Sequence, residues 1–186
     1  MEAVENLMKE HEQILAVLDA LDRFATSERD AAGDQAELGR FVVFIREYAD
    51  ARHHGKEENV LFEAMTRHGF PREQGPVAVM LHEHEQMRKV VGALRSLAEQ
   101  AAPWSPADRT RLAEAALSYT GALRHHIMKE NEILYPMARH RLPASVQEHI
   151  DRECAALDAR QTPAGRDGAL EELAAELTGK YAGRPS

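Results

Sequence analysis

Two stretches of the chain carry imidazoles and carboxylates in the same order. His53-His54-Gly55-Lys56-Glu57-Glu58-Asn59 is matched without a gap by His125-His126-Ile127-Met128-Lys129-Glu130-Asn131, and the correspondence runs on through Leu61 against Ile133 and Met65 against Met137. On a helix, residues four apart lie one turn above each other, so each copy offers an imidazole and a carboxylate to one point in space. Two such pairs facing each other make a cage for metal.

Helices must position these groups, because apolar residues recur at helical spacing and nothing alternates long enough to suggest strands. The expected fold is all-α. Val4, Leu7, Ile14, Leu18 and Leu21 mark a helix over about residues 2–25, ending before the polar stretch Thr26 to Gln35 that contains Gly33. A second, over about residues 36–68, carries Phe41, Phe44, Tyr48, Leu61 and Met65 and stops near Gly69 and Pro71. Gly75-Pro76 opens a third, with Val77, Met80, Met87, Val91 and Leu94 inward, which ends near Ala101.

Ser105-Pro106-Ala107-Asp108 combines an N-cap serine, a first-turn proline and an acidic third position. The helix it opens runs to about residue 140, with Ala116, Tyr119, Leu123, Ile133 and Met137 inward, and Pro136 should kink it or end it early. Four long helices with short connections predict an antiparallel up-down four-helix bundle over residues 1–142. Residues 143–182 read as a C-terminal helical extension: Ser145 to Glu148 resembles a second capping box, and a turn-rich stretch, Thr162 to Gly168, precedes a last helix. The extension could cap the bundle or contribute to a homodimer contact, and residues 183–186 read as a loose tail.

At 186 residues the chain can bury a substantial core without staples, and its single cysteine, Cys154, excludes an internal disulfide. No apolar run approaches a membrane span and the start lacks a signal-peptide pattern, so a cytoplasmic protein is expected, with no membrane partner. A net charge of −8 with a pI near 5.7 argues against nucleic acid.

A ligand must face the interior. His11 interrupts the row Val4, Leu7, Ile14 and Leu18, His84 lies in the row Met80, Met87, Val91 and Leu94, and His126 with Glu130 shares the row of Leu123, Ile133 and Met137. His54 and Glu58 share a row with Ala51, Leu61 and Met65. His53 and His125 fall beside the seam, although His53 with Glu57 is an alternative register that spacing leaves open. His11 and His84 lie about nine residues from the starts of their helices, and Glu58 and Glu130 about ten from the ends of theirs. All therefore sit roughly 15 Å from one end of the bundle. His68, His140 and His149 have no such support and read as surface residues, while His82 is a candidate replacement ligand. Tyr48 and Tyr119, near the seam, read first as core and second as hydrogen-bond donors to the site.

Four imidazoles and two carboxylates buried at one level would cost several kcal/mol each unless a cation held them. Imidazole with carboxylate suits iron, manganese or zinc, and six ligands are too many for one tetrahedral zinc. Two carboxylates from opposing helices could bridge two metals.

His11, His54-x-x-x-Glu58, His84 and His126-x-x-x-Glu130, with the phrases HHGKEENVLF, GPVAVMLHEHE and RHHIMKENEILYPM, resemble the pattern of hemerythrin-like (HHE cation-binding) domains over about residues 5–140. The resemblance implies an antiparallel four-helix bundle around two iron ions, with a bridging oxo or hydroxo group. Glu58 and Glu130 would be bridging carboxylates, and His11, His54, His84 and His126 terminal ligands. The sequence departs from the oxygen-carrying members in two places. Where their third helix has a second histidine one turn on, His84 is followed by Arg88, and where their fourth has His-x-x-x-x-Asp, this chain has His126-x-x-x-Glu130 or the longer His125-x-x-x-x-Glu130. A metal that has lost a protein ligand suits reaction with O2, peroxide or nitric oxide better than reversible carriage. The alternative expectation is an iron or oxygen sensor whose metal occupancy controls a partner surface, with the extension as reporter.

Overall fold

In the computed structural model, which describes residues 1–27, 34–101, 103–161 and 166–182, every regular element is a helix. The first, α1 (Glu2–Thr26), ends within a residue of its expected limit. The second rod is assembled from α2 (Asp34–Phe44), a π-helical stretch π1 (Ile45–His54), a short π turn π2 (Glu57–Leu61) and α3 (Phe62–Arg67). Gly69 and Gly75, both with positive φ, bracket the turn into α4 (Gly75–Ala98), a conformation that glycine adopts without a Cβ clash.

The fourth rod is α5 (Pro106–Lys129), π3 (Glu130–Leu134) and α6 (Tyr135–Arg141). Its start carries the expected reciprocal cap: the Asp108 backbone N–H donates to Ser105 Oγ at 3.2 Å, and the Ser105 N–H donates to Asp108 Oδ2 at 2.9 Å. Pro136 does not end the rod. The ladder widens in π3 just before it, and α6 continues with Pro136 in its first turn, where a missing N–H leaves no gap in the helix.

Neighbouring rods pack α1 against α5, α2 against α4, and α4 against α5. Two further helices, α7 (Ala144–Gln161) and α8 (Arg166–Tyr181), both lie against α1, and α8 also against α2. The loop expected through Gly33, residues 162–165 of the turn expected over Thr162 to Gly168, and the tail 183–186 lie outside the described residues, while Arg166 to Gly168 already belong to α8. Among the described residues no helix is long and apolar enough to cross a membrane.

The apolar interior is divided in two. One core gathers Ile14, Leu18, Phe41, Tyr48, Met87, Tyr119 and Leu123, closed by Leu177 and Tyr181 of α8; the other gathers Val4, Leu7, Leu61, Phe62, Met80, Leu134 and Tyr135, closed by Ile150 and Cys154 of α7. Between them each rod contributes buried polar groups: His11 from the first, His53, His54 and Glu57 from the second, His84 from the third, and His126 and Glu130 from the fourth. A layer of imidazole and carboxylate thus interrupts a continuous hydrocarbon interior, which is the common level expected from helix depth.

Candidate metal centre

Seven side chains meet in this layer as two groups that share one carboxylate. His54, Glu57, His84 and His126 form one; His11, His53, Glu57 and Glu130 form the other; within each group the possible ligand atoms all lie within 4.8 Å of one another. Glu130 also faces both ways, with Oε1 at 3.0 Å from His126 Nε2 and Oε2 at 3.3 Å from His11 Nε2. Glu57 Oε2 stands 3.7 Å from His53 Nε2 and 3.6 Å from His84 Nε2. Both carboxylates open a π turn, Glu57 in π2 and Glu130 in π3, a widening of the helix that recurs at functional sites.

The outer nitrogen of every ring is tied down. His11 Nδ1 donates to Asn131 Oδ1 at 2.9 Å, His53 Nδ1 to Glu10 Oε2 at 2.8 Å, and His54 Nδ1 to Asp50 Oδ1 at 3.3 Å. His84 Nδ1 donates to Glu58 Oε1 at 2.7 Å and His126 Nδ1 to Glu83 Oε2 at 2.8 Å. A ring whose Nδ1 carries the donated proton presents Nε2 as a lone pair, the usual arrangement around a metal-binding histidine.

The result is an interior of acceptors with few donors. His11 Nε2, His53 Nε2, Glu57 Oε2 and both oxygens of Glu130 are buried without a hydrogen-bond partner, and the Nε2 atoms of His84 and His126 face each other at 2.9 Å. Tyr135 donates to Glu57 Oε1 at 2.6 Å, leaving Oε2 to face the rings. The crowding shifts the proton affinities of these groups. Burial, then the adjacent His84, pulls His54 down to about 3. Burial and the neighbouring Glu130 carboxylate push Glu57 well above the usual carboxylate range. For Glu130 burial acts upward, but His126 and His11 outweigh it and hold the carboxyl low. For His126 burial acts downward, but Glu130 and Glu83 outweigh it and raise the ring to about 9. Inward lone pairs of nitrogen and oxygen, unpaired and out of water, are a fit for hard-to-borderline cations such as iron.

The structure brings His11, His54, His84, His126 and Glu130 to the layer, as the spacing predicts, and places Glu58 outside both groups. Glu58 lies 24% exposed, accepting from His84 Nδ1 and from Arg88. Its expected place is taken by Glu57, fully buried, and the neighbouring interior position by His53, 1% exposed. The reason is the π-helical stretch before them. A π turn takes in an extra residue, so the face computed for a uniform α-helix drifts along the rod and Ala51, expected inward, emerges into solvent. The same slip after Glu130 exposes Ile133 to 51% and buries Leu134 and Tyr135 instead.

Tyr135, Glu10, Glu83 and Asp50 act on the site and were not singled out by spacing; Tyr135 and Glu83 lie within the quoted family phrases, whereas Glu10 and Asp50 carry no such signal. Tyr48 instead donates to Gln13 at 2.7 Å. His82, His125, His68, His140 and His149 are exposed and lie outside both groups.

A cleft of about 310 Å³ reaches the buried rings of His54 and His84 from the surface, lined by Ile45, Met87, Val91 and Tyr119 with the exposed Arg46, Arg88 and Arg95. Arg88, one turn after His84, spans Asp50 and Glu58 at 2.7 and 2.8 Å, the two carboxylates that hold those rings.

The profile of the "Hemerythrin HHE cation binding domain" matches residues 2–138. Among curated proteins the chain is 32% identical over 103 residues to the iron-sulfur cluster repair protein YtfE of Edwardsiella ictaluri, covering 54% of this chain and 46% of that one. It is 31% identical over 108 residues to a probable iron-sulfur cluster repair protein of Haemophilus influenzae, covering 55% and 48%. The matched part therefore spans about half the length of these relatives. No solved structure matches.

Proposed function

Because the chain belongs to the hemerythrin HHE cation-binding domain family, we propose that it is a non-heme di-iron protein that binds or reacts with a small oxidant such as O2, peroxide or nitric oxide. One iron would be held by His54, His84, His126 and Glu57 and the other by His11, His53, Glu57 and Glu130. The observation that carries this reading is the buried convergence of inward Nε2 atoms and carboxylate oxygens, within 4.8 Å of one another in each group. Iron would supply there a redox-active centre with a coordination position available to a small ligand.

The protein's own part is to hold the tautomers, exclude water and admit the ligand. Asp50 and Glu58 fix the rings that border the cleft, Arg88 fixes those carboxylates, and Ile45, Met87 and Val91 keep the approach apolar. The packing of α1 on α5, α2 on α4 and α4 on α5 supports an up-down antiparallel four-helix bundle with α7 and α8 as its extension. A soluble cytoplasmic setting completes the proposal, and the relatives' names suggest service where iron-sulfur clusters are damaged.

Anaerobic loading with Fe2+ followed by metal analysis tests the reading: about two irons per chain are expected, with new near-ultraviolet absorption on exposure to air, peroxide or nitric oxide. Failure to retain iron removes the di-iron centre; iron that responds to none of the three ligands removes the reactivity.

A further inference from the structure

Behind His53 lies a second buried polar layer, reached from the C-terminal extension. Lys56 is 1% exposed, and its ammonium donates both to Glu10 Oε1 and, at 2.9 Å, to Asp158 Oδ1 of α7. Arg52 approaches the same pair, 3.5 Å from Asp158 and 3.9 Å from Glu10, and stands 3.9 Å from Glu171 of α8. The other oxygen of Glu10 receives the Nδ1 proton of His53 at 2.8 Å. A chain of charge thus runs from Asp158 through Lys56 and Glu10 to an imidazole of the layer.

Two cations sit here beside a place that would hold another; Glu10 and Asp158 face both of them, and Glu171 faces Arg52 from the outside. Without Asp158, Lys56 would be left to Glu10, with Glu171 answering Arg52 only from the exposed side, so Glu10 would accept more weakly from His53 while more positive charge faced the ion. The rings of the other group are held by Asp50, Glu58 and Glu83, which lie on π1, π2 and α4 rather than on the extension. We infer that the extension, through Asp158, is a positioning device for the metal centre, tightening the ion held by His11 and His53 and leaving its neighbour alone. The inference rests on the di-iron reading and lies outside the matched domain, which ends at residue 138.

The test is a competition titration of the full chain with Fe2+ under anaerobic conditions, against a chromophoric chelator. In Asp158→Asn one of the two affinities should fall by about threefold or more while the other is unchanged, less than the roughly 10–100-fold typical of removing the direct partner of a metal-binding histidine. The charge-balanced pair Lys56→Gln with Asp158→Asn should restore it. Asp151→Ala is the structural control: it removes the 2.8 Å bond by which α7 accepts the Ala3 N–H, without touching Lys56, and should leave both affinities intact.

Unchanged affinities in Asp158→Asn overturn the inference, and so does an equal loss in Asp151→Ala, which would make docking alone responsible. A double variant as weak as the single one excludes charge balance and overturns it too. A wild-type chain that takes up no second ion sinks the di-iron reading itself, and is recognised before any variant is made.

Discussion

A neutral imidazole has one lone pair to give, and whichever oxygen takes the proton on Nδ1 decides where that pair points. Five rings of this protein are settled in that way by Asn131, Glu10, Asp50, Glu58 and Glu83. Glu57 and Glu58 therefore have opposite duties one residue apart, one within the layer and one behind it. Glu57→Ala removes a carboxylate that both groups share, so metal analysis should find iron uptake abolished or reduced to a single weak ion. Glu58→Ala removes only the support of His84, so two irons should remain with affinity lowered about 10–100-fold. The reverse result would restore the α-helical register, with Glu58 in the layer and Glu57 outside it.

At the scale of elements, a helix is a ruler only while its turns are uniform. In α1, α4 and α5 they are, and the rows read from the sequence place Val4, Leu7, His11, Met80, His84, Met87, Leu123 and His126 in the interior where the structure has them. The cap at Ser105 was equally legible, since side chain and backbone satisfy each other within four residues. Ser105→Ala should lower the melting temperature by about 2–4 °C, measured by circular dichroism on the full chain. The second rod was legible only in part: Phe41, Phe44, Tyr48, His54, Leu61 and Met65 are buried as expected, but π1 and π2 change its pitch, no local residue type announces a π turn, and the choice between Glu57 and Glu58 stayed open. The gapless match of His53-His54 to His125-His126 concealed the change. It pairs His53 with the exposed His125 and Glu58 with Glu130, whereas the structure equates His53 and Glu57 with His126 and Glu130. Of the outer acceptors, Glu58 and Asn131 stand in the repeated phrase, but their role was hidden, as were Glu10, Asp50 and Glu83, because in sequence a polar side chain that turns inward is indistinguishable from a solvated one.

Across the whole molecule the polar layer lies between two hydrocarbon cores, and the extension closes both. Burial of Cys154 in the core that α7 completes pushes its thiol up to about 12. It should resist a disulfide exchange reagent at pH 8 in the native protein and react at once in denaturant, so thiol reactivity reports undocking of α7. The layer itself couples stability to protons and metal in opposite senses. His126 is raised from 6.5 to about 9 chiefly by Glu130 and Glu83 working against burial, so without metal its charge stabilises the fold in full below 6.5, and that contribution is lost as pH rises through 9. Glu57, raised by burial and by Glu130, acts in the same direction, favouring the fold while it keeps its proton. A cation needs both groups deprotonated, so its uptake must expel protons and its affinity must grow over the same interval. The rise in melting temperature on adding metal should therefore widen as pH is taken from 6.5 towards 9, and loading an unbuffered solution near neutrality should acidify it. Metal that bound with no proton release, or a melting increment that narrowed over that interval, would mean that ions bind at the surface and that the layer is held by its own charges.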